Sequence, residues 1–383
     1  MHLIDRGAFF FIMIISELLR PIENWAPPGV AWDKDNTGLQ VGDIDKKIKN
    51  VLICLELTKE IILEATDKKA NLIISHHPLI FYPLKKLSFK TDTTSQLIEL
   101  LIKNNITHYS AHTNLDFTQN GVSISLAKKL GLLSIKFLRE IDKNRYKVVV
   151  FVPKESVAVV SEAIFDAGGG IIGEYSNCSF RTLGTGTFSG SEKTNPFVGK
   201  KCSFEAVEEV KLEVITDKWQ LSKVIKNLTN AHPYEEPAFD IIPLENKNGN
   251  FGMGAIGEFE DALQLNEVLG IIKRKLGLKC LKHSKSKNIL VKKVALCGGS
   301  GMELMNNAIA SGADLFLTSD IKYHSYFDAE GKIVLVDAGH YETEVIILET
   351  LKDFLTQYVN KSKTGKIGIF ITEKISNPID FFI

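Results

Sequence analysis

The chain has 383 residues, 46 Lys and Arg against 46 Asp and Glu, and 44% hydrophobic residues. That length supports two or three domains, and the balanced charge argues against broad nucleic-acid binding, which needs a basic face or stripe. The five scattered cysteines include no C-x-x-C pair, which argues against thiolate-held zinc and for a reducing, cytoplasmic compartment.

Ala8 to Ile15 reads AFFFIMII behind Arg6. The run is too short for a membrane span and no small-residue cleavage site follows it. Ile12 to Trp25 is expected to be an amphipathic helix, the first dozen residues an extension, and the protein free of the membrane. Cys54, Cys202 and Cys297 sit beside hydrophobic or strand-like residues and read as small apolar side chains.

Beyond Pro27-Pro28-Gly29 the chain alternates strands and helices. Val51–Leu55 is a buried-strand run, Lys59–Lys69 has helical pattern, and Leu72–Ser75 is a strand ending directly in His76-His77-Pro78. A helix over about Thr94–Asn104 leads to the strand Thr107–Ala111, which ends in His112-Thr113-Asn114-Leu115-Asp116. Near the C-terminus, Val294–Cys297 runs into Gly298-Gly299-Ser300-Gly301 and a helix to about Ser311. Leu315–Thr318 ends in Ser319-Asp320, and Ile333–Val336 ends in Asp337-Ala338-Gly339-His340 before a long helix, Glu342–Tyr358. Apolar strands alternating with helices indicate a parallel α/β sheet, and ligands of such sheets sit beyond the carboxyl ends of the strands.

The middle of the chain follows another grammar. Strand Tyr146–Val152, helix Glu155–Ala167, a Gly- and Ser-rich hairpin, strand Val210–Ile215, helix Gln220–Thr229 and strand Phe239–Ile242 succeed one another. The order β–α–(β-hairpin)–β–α–β predicts a ferredoxin-like α+β unit, with Asn246–Asn250 as the return linker. The expected organisation is an α/β core over residues 13–139 and 249–383, interrupted by an insert over 140–248.

Each polar cluster lies at a strand end, taken as the ends of one sheet. His76 and His77, adjacent in extended chain, are expected to point to opposite sides and serve different ions. Asp116 adds a carboxylate, and His340 and Glu344, at i and i+4, share a face. Imidazole and carboxylate without thiolate suit zinc, iron, manganese, cobalt or nickel. Taken singly, each group has a plainer reading: a turn at His-His-Pro, a helix cap at Asp116, a solvated pair at His340 and Glu344. Together, His76, His77, Asp116, His340 and Glu344 read as a dinuclear site with open positions, Asp116 bridging.

Four strings carry a resemblance: Trp32-Asp33 with Asn36-Thr37-Gly38-Leu39-Gln40-Val41-Gly42, Ser75-His76-His77-Pro78, His112 through Asp116, and Gly339-His340-Tyr341-Glu342-Thr343-Glu344. In this order they resemble the dinuclear metal-centre family known as GTP cyclohydrolase 1 type 2 homologs, or Nif-three-like proteins. The resemblance runs from about Ile14 to the C-terminus and leaves residues 1 to 12 without a counterpart. It implies metal ligation by the same five residues, a Nif-three-like core and a PII/CutA-like insert. It also implies a homohexamer with its metal sites facing an internal cavity.

Two roles are then open. One is a metal-dependent hydrolase, in which activated water attacks GTP or another phosphorylated small molecule. The other is a non-catalytic metal-storage, delivery or ligand-sensing assembly protein. His112 is a candidate for orienting a ligand or substrate, against a turn histidine; His324 is a candidate proton shuttle, against a surface position. Gly298–Gly301 could hold an anion on backbone amides. His232 with Glu235 and Glu236 could bind a metal, against strand-edge packing between subunits.

Overall fold

The computed structural model describes residues 12–141, 144–286, 289–362 and 366–382. Residue contacts divide the chain into two units: Glu140–Asn250, and a core made of the segment up to Arg139 together with Phe251 onward.

In the core, a first sheet has the order Gly38–Val41, Thr107–Ser110, Leu72–Ser75, Asn50–Cys54, Gly368–Ile371. Only the Gly38–Val41 pairing is antiparallel. Its middle strand is buried throughout, and apolar from Leu72 to Ile74, because both faces are covered. Leu72 and Ile74 join Ile15, Leu18, Leu351 and Leu355 on one side. Ile73 joins Ile61, Leu97 and Leu101 on the other. Each such side chain removed from water contributes about 1.5–3 kcal/mol, and the period of two that separates neighbours onto opposite faces is the strand's own geometry.

Apart from Gly368–Ile371, the strands of the C-terminal half do not extend this sheet, contrary to the expectation of a single one. They form a second sheet, ordered Lys282–His283, Val334–Asp337, Leu315–Thr318, Leu290–Leu296, Asn248–Gln264, Leu133–Ile141. Three of these strands run parallel, and Lys282–His283 and Asn248–Gln264 pair antiparallel to their neighbours. The expected linker Asn246–Asn250 already contains the start of the 17-residue strand Asn248–Gln264. Its glycines disguise a strand, yet they are a packing requirement: a β-carbon on Gly257 would press into the Leu133 carbonyl of the neighbouring strand.

The N-terminal helix is Ile15–Trp25, with Glu17 accepting a hydrogen bond from the Ile14 amide at 2.9 Å. The first half of the Ala8–Ile15 run, residues 8–11, lies outside the described residues. The long C-terminal helix is divided into His340–Glu344 and Ile347–Lys361. Among the described residues no helix is long and apolar enough to cross a membrane. All five cysteines are free; Cys54 is buried, but Cys202 is exposed with φ +56°, so an apolar packing role does not hold for it.

The second unit has strands Arg145–Pro153, Phe180–Ser189, Phe204–Asp217 and Phe239–Leu244 and helices Val157–Asp166 and Lys218–Ala231. The sheet order is Phe180–Ser189, Phe204–Asp217, Arg145–Pro153, Phe239–Leu244, antiparallel throughout. With one helix after the first strand and one after the third, this is the ferredoxin-like arrangement. Val148, Val150, Val160, Ile164, Leu212 and Val224 fill the space between sheet and helices.

Candidate metal centre

The first sheet delivers its histidines by stopping at Ser75. The His76 amide still donates to the Cys54 carbonyl and the His77 amide to that of Leu55, so both residues are held as an extension of the ladder. Ser110 Oγ donates to the His76 carbonyl at 2.8 Å and Ser75 Oγ to the His77 carbonyl at 2.6 Å. The two rings nevertheless lie on the same side, centroids 5.0 Å apart, because strand alternation ends with the strand at Ser75. The expectation that they point to opposite sides is therefore corrected.

His108 is not part of the cluster. It sits within the strand Thr107–Ser110, fully buried, with Nε2 2.7 Å from Ser75 Oγ. Since that hydroxyl donates to His77, His108 Nε2–H donates to it. Burial holds His108 neutral, lowering its pKa to about 3. It braces the histidine pair from behind.

Past the next strand, Asn114 closes a turn by accepting from the His112 amide and donating to the Ala26 carbonyl. The short helix Thr113–Asp116 then brings Asp116 back, with Oδ1 3.5 Å from His76 Nε2. From the second sheet, Gly339 at φ +80° turns the chain into the helix His340–Glu344. His340 Nε2 and Glu344 Oε1 are 3.2 Å apart across one turn. Glu344 also reaches His77 Nε2 at 3.1 Å and His76 Nε2 at 4.0 Å. Its approach depends on Gly299, where a β-carbon would collide with the Glu344 carboxylate.

Four imidazoles share one pattern. His76 Nδ1 bonds to the Ala111 carbonyl, His77 Nδ1 to Glu56, His112 Nδ1 to Asp35 and His340 Nδ1 to Asp320, at 2.8, 2.8, 2.8 and 2.6 Å. Anchoring Nδ1 fixes the ring and reserves Nε2 for the interior, the arrangement found behind metal-ligating histidines. Ligand atoms of His76, His77 and His112 lie within 4.8 Å of one another, as do those of His77, His340 and Glu344. The structure thus brings the five expected residues together and adds His112. The anchors Asp35, Glu56 and Asp320 are new. His324 is exposed, its ring against Tyr323 and Phe327 rather than the clustered imidazoles.

The electrostatics point to a missing positive charge. His76 Nε2, Asp116 Oδ1 and Glu344 Oε2 are buried without a hydrogen-bond partner, since the short His77–Glu344 contact is not aligned as one. Burial lowers the pKa of His76 to about 3, leaving a lone pair on Nε2. Burial and the neighbouring Glu344 charge push Asp116 well above the usual carboxylate range. Burial opposes a charged His77, but Glu344 and Glu56 outweigh it and lift its pKa to about 10. Contact with Glu344 lifts His340 to about 9. Burial would raise Glu344, and His340 with His77 hold it below its ordinary value. Buried nitrogen and carboxylate donors with no thiolate fit divalent transition metals.

Three of the four amides of Gly298–Gly301 are already used. The amides of Gly298, Gly299 and Gly301 donate to Ser123, Thr343 and Thr318 hydroxyls. The loop shapes the space around Glu344 instead. In the second unit, His232 Nε2 bonds to the Phe151 carbonyl and Nδ1 accepts from the Tyr234 amide, so both nitrogens are taken by backbone.

The profile of the Duf34/NIF3 (NGG1p interacting factor 3) family matches residues 13–378. The chain is 39% identical over 350 residues to a GTP cyclohydrolase 1 type 2 homolog of Halalkalibacterium halodurans, covering 90% of this chain and 93% of that one. It is 37% identical over 368 residues to the Bacillus subtilis protein of the same name, covering 95% and 98%. Among solved structures, a Bacillus cereus protein related to NIF3 matches with TM-score 0.81 and 36% identity over 97% of this chain and 100% of that one. A Staphylococcus aureus protein matches with TM-score 0.76 and 31% identity over 97% and 99%.

Proposed function

This chain belongs to the Duf34/NIF3 family, and on that premise we propose that it is a metal-dependent hydrolase holding two divalent transition-metal ions. The observation that carries the reading is the set of four Nδ1-anchored imidazoles facing Asp116 and Glu344. His77, His340 and Glu344 would hold one ion, and His76 with Asp116 the other. Asp116 would help to hold and charge-balance the ions, and His112 lies at the rim of the same space. Zinc and iron are the favoured metals for this donor set. When bound, the ions supply Lewis acidity and charge compensation for attack by water on an electrophilic carbon or phosphorus.

The residues themselves do the positioning. Ala111, Glu56, Asp35 and Asp320 lock the ring orientations, so little reorganisation is needed when a charged ligand arrives. Asp116 and Glu344 offset the ionic charge. The substrate class proposed is a nucleotide or another phosphorylated small molecule, from the name carried by the relatives.

A second reading, metal storage or delivery, is favoured by one observation: the glycine-loop amides beside Glu344 are already taken. Turnover of GTP and a panel of phosphoesters by protein loaded with zinc or iron separates the two. Hydrolysis abolished by chelator and restored by metal supports the enzyme. Ready ion exchange with no turnover above free metal supports storage.

A further inference from the structure

The second unit contains a cavity of about 620 Å³ between the strand Phe180–Ser189, the loop that follows it, and the turn His232–Pro237. Its lining is mostly apolar, and three aromatic rings stand close together. Phe188 and Phe197 lie 6.3 and 6.4 Å from the ring centre of Tyr234. His232 stacks edge-on behind Tyr234 at 5.0 Å and is locked to backbone at both nitrogens, so the ring position is set from below.

Against this apolar wall stands a carboxylate. Glu209 lines the cavity although it is only 7% exposed, and its Oε1 accepts a hydrogen bond from Tyr234 Oη at 2.8 Å. Burial and Glu209 both push the Tyr234 phenol up, so it stays a donor. Gly186, on the adjacent strand, leaves the space into which the carboxylate projects; a β-carbon there would collide with it. Glu235 and Glu236 also line the cavity, Glu235 tying down the loop by accepting from the Asn195 amide. The single cation among the lining residues, Lys211, has its ammonium 2.6 Å from Glu213. The cavity therefore joins aromatic faces to uncompensated negative charge, with one carboxylate largely withdrawn from water. A buried carboxylate is costly unless it meets a donor or a cation, and aromatic faces attract the same kind of charge.

From this complementarity we infer that the cavity binds a small organic cation, an amine, amidine or guanidine on a flat apolar body. The rings of Phe188, Phe197 and Tyr234 take the body, and Glu209 receives the N–H donors. The volume suits a ligand of small-molecule size. Every lining residue lies in the second unit, and none belongs to the metal centre.

The test is isothermal titration calorimetry on the full chain with three isosteric probes: benzamidine, benzamide and benzoate. Benzamidine is expected to saturate the site about ten-fold or more tightly than benzamide, with benzoate weakest, as a charged hydrogen bond to a carboxylate requires. Glu209→Gln should erase the preference for the amidine. Phe197→Ala, in an exposed loop outside the sheet, should weaken benzamidine several-fold with the circular dichroism spectrum unchanged. Chelator should alter neither result. Equal binding of amidine and amide would make the cavity merely apolar and overturn the inference, as would benzamidine affinity unchanged in both variants. Absence of saturable benzamidine binding overturns it too, including the case where sedimentation shows a second copy covering the cavity.

Discussion

His77 Nε2 and Glu344 Oε2 come from the two different sheets of the core and stand 3.1 Å apart. Each belongs to a segment that leaves its sheet at a strand end, so the cluster is where the two sheets are tied. Ions bound there cross-link them, and an ion that binds only the folded chain stabilises it by mass action. At free metal 100-fold above Kd the gain is about 2.7 kcal/mol. Chelation should therefore lower the melting temperature by on the order of 5 °C. Differential scanning calorimetry before and after chelator checks this, and an unchanged Tm with metal demonstrably removed would refute the cross-linking role.

The ligand assignment is tested by substitution. His340→Ala and Asp116→Ala should each empty at least one of two metal positions while the far-UV circular dichroism stays the same. Neither side chain belongs to the apolar clusters that hold the sheets. Inductively coupled plasma analysis of protein purified without chelator gives the stoichiometry. Two ions per chain in both variants would remove these residues from the ligand set.

Anchoring through Nδ1 makes a separate claim. Glu56→Gln and Asp35→Asn leave every inward-facing donor in place but weaken the bonds that orient His77 and His112. Metal affinity, measured by competition with a chelating dye, should fall about 10–100-fold. Asp35 has more to lose: it also accepts from the Thr113 amide and hydroxyl, and although burial opposes its ionisation, His112 and Thr113 hold its pKa at about 2. A change smaller than two-fold in both variants would mean that the rings are held by packing alone.

These anchors explain where the sequence was legible and where it was not. Leu72–Ser75 followed by His76-His77 reads plainly, because a parallel strand buried at every position opens on an apolar run, Leu72 to Ile74, and its polar successor must sit at the sheet end. The i, i+4 spacing of His340 and Glu344 carries its own geometry. Glu56, Asp35 and Asp320 carry none: each is a lone carboxylate in a loop, given meaning by a partner 20 to 77 positions away. The existence of two sheets was hidden for another reason. Asn248–Gln264 places glycines where side chains would strike the neighbouring strand, so its composition imitates a linker. Opposed directions for His76 and His77 followed from extending strand alternation two residues past the strand.

The final prediction concerns the second unit, proposed to be an autonomous insert. Its apolar cluster, including Val148, Val160, Leu212 and Val224, draws on no residue of the core. The core, for its part, leaves and resumes on neighbouring strands of the second sheet, Leu133–Ile141 and Asn248–Gln264. Adjacent strands lie about 4.8 Å apart, so a linker of roughly four Gly and Ser residues spans the gap left when the insert is removed. Joining Arg139 to Phe251 in this way should give a soluble, cooperatively melting core that still binds metal. Loss of higher oligomers would not count against it, since the prediction concerns folding and the ligand set alone. An insoluble product, or a folded one without metal, would show that the insert supports the core beyond the two strands it interrupts.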